Sequence, residues 1–311
     1  MNRPIIRQSE LNTMDVGLTS TGPKPISSTE IPAEYSQSLL TNIKHIDSLF
    51  GELIPGMTIA VGAHPGTGKT TFFLQLADNF ASQGLKVCFI SGEQDVGMIK
   101  KTADRIHATG FDVMNETDLH VIEELVNTGI YDMVVIDSIH SLSVKGVSGA
   151  NKTIKYVTNK LHGAAKKTMT IIVMICHSTL KGMIKGGTLV THVIDCEFYI
   201  HRVNGSDHLR KLFTQKNRMG ATGSTYLNMT ATGFDMHNVA DPDTGLTAKE
   251  RFKYISHMVD SMDTNASISM DDLYELCDEH DLCADTAKEI LQGLVDEGKV
   301  VQDDGLWIAN L

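Results

Sequence analysis

The chain has 311 residues, 41% of them hydrophobic, and its 27 basic and 38 acidic residues give a formal net charge of −11. That is enough apolar material for a sizeable core, and the length suggests two domains. No apolar run approaches the roughly 18 residues of a membrane span, and MNRPIIRQSELNTMDV at the start lacks the charged, apolar and small-residue regions of a secretion signal, so the expectation is a cytoplasmic protein without a membrane partner.

Residues 1–38 carry Pro4, Pro23, Pro25 and Pro32 among many Ser and Thr, without periodicity, which reads as a flexible arm. From 39 to 238 the apolar, β-rich runs MTIAVG, KVCFIS, YDMVVID, TIIVMIC, HVIDCEFYI and LRKLFTQ alternate at first with helix-compatible segments. The pattern predicts βαβ units: an α/β core whose mostly parallel sheet is flanked by helices. DPDTG at 241–245 marks a turn or linker. Helical stretches follow near 247–262, 270–279 and 285–297, with Gly298 as a stop, and KVVQDDGLWIA then has the Asp-Gly turn of a hairpin. Helices followed by a hairpin resemble a winged helix-turn-helix, so residues 239–311 are expected to form a small winged-helix-like domain.

The five cysteines, Cys88, Cys176, Cys196, Cys277 and Cys283, form no CxxC, and three lie in apolar runs where a small buried side chain is the default. Cys277, His280 and Cys283 are spaced as C-x2-H-x2-C but lack a fourth ligand nearby, so free thiols are favoured over zinc.

Charge is distributed unevenly. From Ser138 to Ile194 there is no Asp or Glu, while Lys145, Lys152, Lys155, Lys160, Lys166, Lys167, Lys181 and Lys185 fall inside. From Asp241 onward 17 acidic residues face 5 basic ones, a balance of −12. The acidity lives in the tail, and the remainder is close to neutral with one basic block.

The chemistry begins at VGAHPGTGKTT. After the strand MTIAVG, the segment from Ala63 to Thr70 has P-loop spacing, with Ala63 where the first glycine usually stands. His64, Pro65, Gly66, Thr67, Gly68, Lys69, Thr70 and Thr71 would cradle ATP, because glycines let successive backbone N–H groups curl around phosphate and a helix N-terminus points at the same anion. Lys69 would reach the outer phosphates, and the Thr70 hydroxyl would ligate Mg²⁺. YDMVVID ends in Asp137, suited to the magnesium shell; a carboxylate ending a buried strand would otherwise be a costly unpaired charge. VCFISGEQ ends another strand near Glu93, either a general base for the attacking water or a helix-start residue that favours the dipole. In TQKNRMG, Lys216 and Arg218 stand two apart. They are either a solvated strand end or a cation pair that requires an anion opposite.

Taken together, HIDSLFGELIPGMTIAVGAHPGTGKTTFFLQLA, VCFISGEQDVGMIKKTADRI, VVIDSIHSL, CHSTLKGMIKGGTLVTHVIDCEFYI and KNRMG resemble the bacterial RadA (Sms) branch of the RecA-like ATPases over residues 39–235. The Walker motifs are widely shared, whereas KNRMG, so close to that branch's KNRFG, is specific. The resemblance implies Glu93 as the catalytic glutamate, Asp137 and Ser138 as the Walker B pair and His177 as the γ-phosphate sensor. It also implies that Lys216 and Arg218 reach the nucleotide of a neighbouring subunit in a homo-oligomer, a hexameric ring. An added cation of this kind is worth roughly 10³ to 10⁵ in rate. The chain departs from the family in Met219, where phenylalanine is usual, in a cysteine-free segment 1–38 where the family carries a four-cysteine zinc module, and in an acidic tail where it carries a Lon-like domain. The ATG that follows KNRMG is similar to the DnaB-type helicases.

In this superfamily the loops after the Walker B and sensor strands face a central channel. Here those loops carry Lys145, Lys152, Lys181 and Lys185, which would bind single-stranded or branched DNA through phosphate; the alternative is a solvated lysine-rich face. The expected function is an ATP- and Mg²⁺-dependent DNA motor in recombination, branch migration or repair. The rivals are a DnaB-type replicative helicase and an ATP-gated clamp or loader. The acidic segment 239–311 would repel DNA and is expected to dock a protein partner.

Overall fold

The computed structural model describes residues 25–31, 35, 38–179, 183–203, 206–240, 267–268, 292, 295–296, 300–303 and 306–309. Most of the expected N-terminal arm, the expected C-terminal helices apart from residues 292 and 295–296, Lys181 and the Cys277, His280 and Cys283 triplet lie outside these residues. The chain divides into two compact units: Met1–Arg202, Arg210–Thr225 and Met229–Phe234 form the first, and Val203–Leu209, Tyr226–Asn228 and Asp235–Leu311 the second.

After a 3-10 turn at Ile26–Ser28, the described elements run α1 (Lys44–Phe50), β1 (Thr58–Ala63), α2 (Lys69–Ser82), β2 (Val87–Ser91), α3 (Val96–Arg105), β3 (Asp112–Asn115), α4 (Leu119–Asn127) and β4 (Met133–Asp137). They continue with α5 (Ala150–Thr168), β5 (Ile171–His177), the short α6 (Thr188–Thr191), β6 (Cys196–Arg202), β7 (Leu209–Asn217), β8 (Ser224–Thr230) and β9 (Gly233–Phe234). These strands form one nine-stranded sheet in the order β3-β2-β4-β5-β1-β6-β7-β8-β9. The pairs from β3 to β6 are parallel, and β7 returns antiparallel to β6.

Strands β1, β2 and β4 are buried at every residue, which is why they read as unbroken apolar runs rather than alternating ones: helices cover both faces of a parallel sheet. On one face, α4 and α5 bring Leu119, Ile122, Val157 and Leu161 against Val134, Ile136, Ile172 and Met174. Asp95 and Asp118 start α3 and α4 by accepting the N–H of Met98 and His120, as N-caps do. Cys88, Cys176 and Cys196 are buried free thiols, matching the sequence reading, and burial pushes each up to about 12.

In the second unit, β10 (Ser267–Ile268), β11 (Val300–Asp303) and β12 (Leu306–Ala309) form a three-stranded antiparallel sheet in the order β10-β12-β11. The β11–β12 pairing is the hairpin that the Asp-Gly turn predicts. Among the described residues no helix is long and apolar enough to cross a membrane.

Candidate functional site

The P-loop leaves the end of β1 and enters α2. Gly68, the residue before α2, has φ +100, a conformation that glycine adopts without strain, and a Cβ there would also strike the Phe234 ring at 2.9 Å. Thr67 is buried, and its hydroxyl and N–H both donate to His64 O, at 2.8 and 3.3 Å, which tightens the loop. Pro65 and Gly66 are exposed, His64 pairs with the Ser178 hydroxyl at 3.3 Å, and Lys69 Nζ folds back to 3.4 Å from Ala63 O. The Thr71 hydroxyl faces away, accepting from Arg105 at 3.3 Å. Two arginines that the sequence reading passed over brace the loop: Arg202 Nη2 donates to Gly66 O at 3.0 Å and Arg210 Nε to Thr67 O at 3.1 Å.

Three strand ends converge beside this loop. The Thr70 hydroxyl donates to Asp137 Oδ2 at 2.6 Å. Burial pushes the Asp137 carboxyl up, Thr70 opposes this, and the Glu93 charge adds to it. Glu93 is brought there by the Ser91-Gly92 turn, where Gly92 N–H donates to Asp137 O at 2.8 Å and a Cβ on Gly92 would collide with the Ser141 hydroxyl. Glu93 Oε1 accepts from the Ser138 hydroxyl and lies 2.6 Å from His177 Nε2. Burial acts against ionisation of Glu93, but the Ser138 and His177 hydrogen bonds and the charges of His177 and Lys69 outweigh it and hold the carboxyl below its ordinary range.

The Thr70 and Asp137 pair fits magnesium. Both groups are hard oxygen donors, Asp137 is a desolvated carboxylate that a cation would relieve, and nucleotide-borne Mg²⁺ needs only one or two protein oxygens. Among the described residues no three His, Cys, Asp or Glu side chains converge into a separate metal cage.

Lys216 and Arg218 are elsewhere. Strand β7 runs two residues past the predicted stretch, ending at Asn217. Lys216 Nζ donates to Thr191 O at 2.6 Å and Ile194 O at 2.7 Å. Arg218 donates to His192 O at 3.1 Å and to Asp195 Oδ1 at 3.5 Å. Burial and the adjacent Arg218 push the Lys216 pKa down. Asp195, which the sequence reading did not single out, is buried and also accepts from Lys166 Nζ at 2.9 Å, Thr58 N–H at 2.9 Å and the Thr58 hydroxyl at 3.0 Å. Lys145, Lys152 and Lys185 are exposed.

A mostly parallel sheet with a P-loop at the end of β1, Asp137 ending β4 and Glu93 after β2 is the fold of a RecA-like P-loop ATPase. The chain belongs to the family described as AAA domain, whose profile matches residues 27–183, about half of the chain. A DNA repair protein RadA from Rickettsia felis is 36% identical over 183 residues, covering 56% of this chain and 41% of that protein. A DNA repair protein RadA from Chlamydia muridarum is 30% identical over 244 residues, covering 76% and 52%. The chain therefore spans about half the length of the curated relatives it matches. Among solved structures, a KaiC-like protein from the hyperthermophilic archaeon Pyrococcus horikoshii superposes with a TM-score of 0.55 at 16% identity, over 64% of this chain and 97% of that one. A DnaB-like replicative helicase gives 0.54 at 14% identity, over 58% and 57%; likeness at such identity speaks for the fold alone.

Proposed function

We propose that this chain hydrolyses ATP between subunits of a homo-oligomeric ring and couples hydrolysis to movement on single-stranded or branched DNA, as a RadA-like recombination, branch-migration or repair motor. The observation that carries the reading is the convergence of Glu93, Ser138 and His177 beside the Thr70 and Asp137 pair, at the mouth of the P-loop. In this reading the P-loop amides and Lys69 hold the triphosphate, and Thr70 with Asp137 holds Mg²⁺, which supplies charge neutralisation at the outer phosphates. Glu93, kept ionised by its partners, accepts the proton of the attacking water. His177, bonded to Glu93, takes in this reading the role of γ-phosphate sensor, exchanging that bond for one to the nucleotide.

Action of Lys216 and Arg218 in trans is supported by strand register. Asn217 pairs with Cys196, and Cys196 with Ile59, near the start of β1, whereas the P-loop begins after Ala63 at its end. Four residues of strand, about 13 Å at ~3.3 Å each, separate the two ends, so a chain does not present these cations to its own phosphates. They suit a neighbour's.

The DNA reading is supported by the acid-free block and by the position of exposed Lys145, Lys152 and Lys185 in or beside the segments that follow β4 and β5. The acidic balance of residues 239–311 fits a docking site for a basic protein partner in a winged-helix-like domain. The ATG that follows KNRMG supports, as the second reading, a DnaB-type helicase role for the same site. One experiment separates motor from switch: ATP turnover with and without single-stranded DNA, alongside strand separation. Stimulation with unwinding supports a motor, and turnover indifferent to DNA supports an ATP-gated clamp or loader.

A further inference from the structure

His140, two residues beyond Ser138, has no role in the chemistry above, yet both of its ring nitrogens are committed. Nδ1 accepts the backbone N–H of His177 at 3.2 Å, so in the neutral ring the proton sits on Nε2, which donates to Lys185 O at 3.1 Å. Lys185 N–H in turn donates to His177 O at 2.8 Å. The three residues thus close a ring of hydrogen bonds: His177 to His140, His140 to Lys185, and Lys185 back to His177. The His140 imidazole also lies flat on that of His177, with centroids 4.7 Å apart and planes 6° from parallel. Burial, then the charge of His177, pushes the His140 pKa down to about 4, so the neutral form that this network requires is the one present at neutral pH.

We propose that His140 is a positioning residue that passes the state of the Glu93 and His177 pair to the loop carrying Lys185. The His177 ring bonds Glu93 through Nε2 and stacks on His140 through its face. In the proposal, His177 exchanges Glu93 for the nucleotide, its stacked partner His140 shifts with it, and His140 holds the carbonyl of Lys185. Neither bond belongs to a strand ladder: one joins the turn after β4 to His177, the last residue of β5, and the other joins that turn to Lys185 in the segment after β5. The device thus links the two segments proposed to meet DNA, and it rests on the reading that this site takes ATP.

The test is amide hydrogen exchange over residues 183–190 of the full chain, with and without a non-hydrolysable ATP analogue. In the unaltered protein, binding should change exchange at Lys185 by about tenfold. His140→Phe keeps a ring to stack on His177 but loses both hydrogen bonds, and should reduce that response to about twofold or less while analogue affinity stays within about threefold. A full response in this variant overturns the proposal, because a merely structural residue would lower the melting temperature and leave the response intact. Should His140→Phe not fold, His140→Gln keeps a donor for Lys185 O but has no ring. There an undiminished response is the overturning result and a response at least about threefold smaller supports it. Binding of the analogue without any loop response in the unaltered protein sinks this inference alone, whereas no binding at all removes the ATP reading and this inference with it.

Discussion

Glu93 Oε1 and His177 Nε2 stand 2.6 Å apart, with the Ser138 hydroxyl on the same carboxylate oxygen. In the proposed role of general base, Glu93 loses its function when it loses its charge. Glu93→Gln should bind ATP with near-normal affinity and turn it over about 10² to 10⁴ times more slowly. Lys69→Ala should instead lose tight binding. Single-turnover hydrolysis and binding of a fluorescent analogue separate the two, and normal turnover in Glu93→Gln would remove it from the chemistry.

The opposed placement of the P-loop and of Arg218 gives a second expectation. Arg218→Ala and Lys69→Ala should each be inactive alone, and mixtures should recover turnover at interfaces where one supplies the phosphate site and the other the cation. Mixed assembly shown by native mass spectrometry without recovery would mean that the cations serve their own chain.

Asp195 is the intrachain anion opposite Arg218. Asp195→Ala strips an acceptor from Lys166, Arg218 and the Thr58 N–H, but Lys166 and Arg218 are 34% and 47% exposed and turn to water. The loss should be about 1–3 kcal/mol in urea unfolding, below the roughly 3–5 kcal/mol of a fully buried pair. An unchanged midpoint would show that the cluster is not held in solution.

His140 contributes a pH dependence of defined sign. Its pKa falls from 6.5 to about 4 on folding, so between those values the unfolded chain binds more protons and stability rises with pH. Stability is lost as pH falls from about 6.5 to about 4, and His140→Phe should flatten that part of the curve relative to the unaltered protein. Thermal midpoints measured across the window check this; parallel curves would exclude His140 as the group responsible.

Lys152→Ala and Lys185→Ala should weaken single-strand binding uniformly across sequences, each reducing the salt slope by about 1. Affinities titrated from low to high salt test it. An unchanged slope would return these lysines to the class of solvated surface charge.

Strands β1, β2, β4, β5, β6 and β7 were legible because their β-rich runs are bounded by turn residues, and the P-loop because strand, glycine turn and helix follow in fixed order; β8, polar along much of its length, and the two-residue β9 were not. Asp137 could be read from an apolar run that ends in a carboxylate. Asp195 could not: within HVIDCEFYI it looks like one polar residue in a strand, and its partners come from α5, 29 residues earlier, and from the end of β7, 23 residues later. Lys166, read as part of a basic block, is one of those partners, and Lys160 pairs with Glu123 at 3.3 Å. Local patterns do not encode such convergence. His140 escaped for a related reason: its significance is a stack and two hydrogen bonds to residues 37 and 45 positions away. Strand β3, four residues with both ends exposed, offers too little apolar character to be read at all.

The antiparallel turn from β6 into β7 carries the cation pair to the far end of the sheet from the P-loop. Two-fold pairing would require one patch to hold both features, each meeting its counterpart, whereas a head-to-tail interface needs only one of them from each subunit. In the proposed ring, subunits that share sites across this separation associate head to tail. In an open row of such subunits one terminal P-loop lacks cations and one terminal cation pair lacks a phosphate, so the row has one complete site fewer than it has chains. Closure into a ring restores the last site, and the gain in turnover per chain on closure is largest for the shortest assemblies.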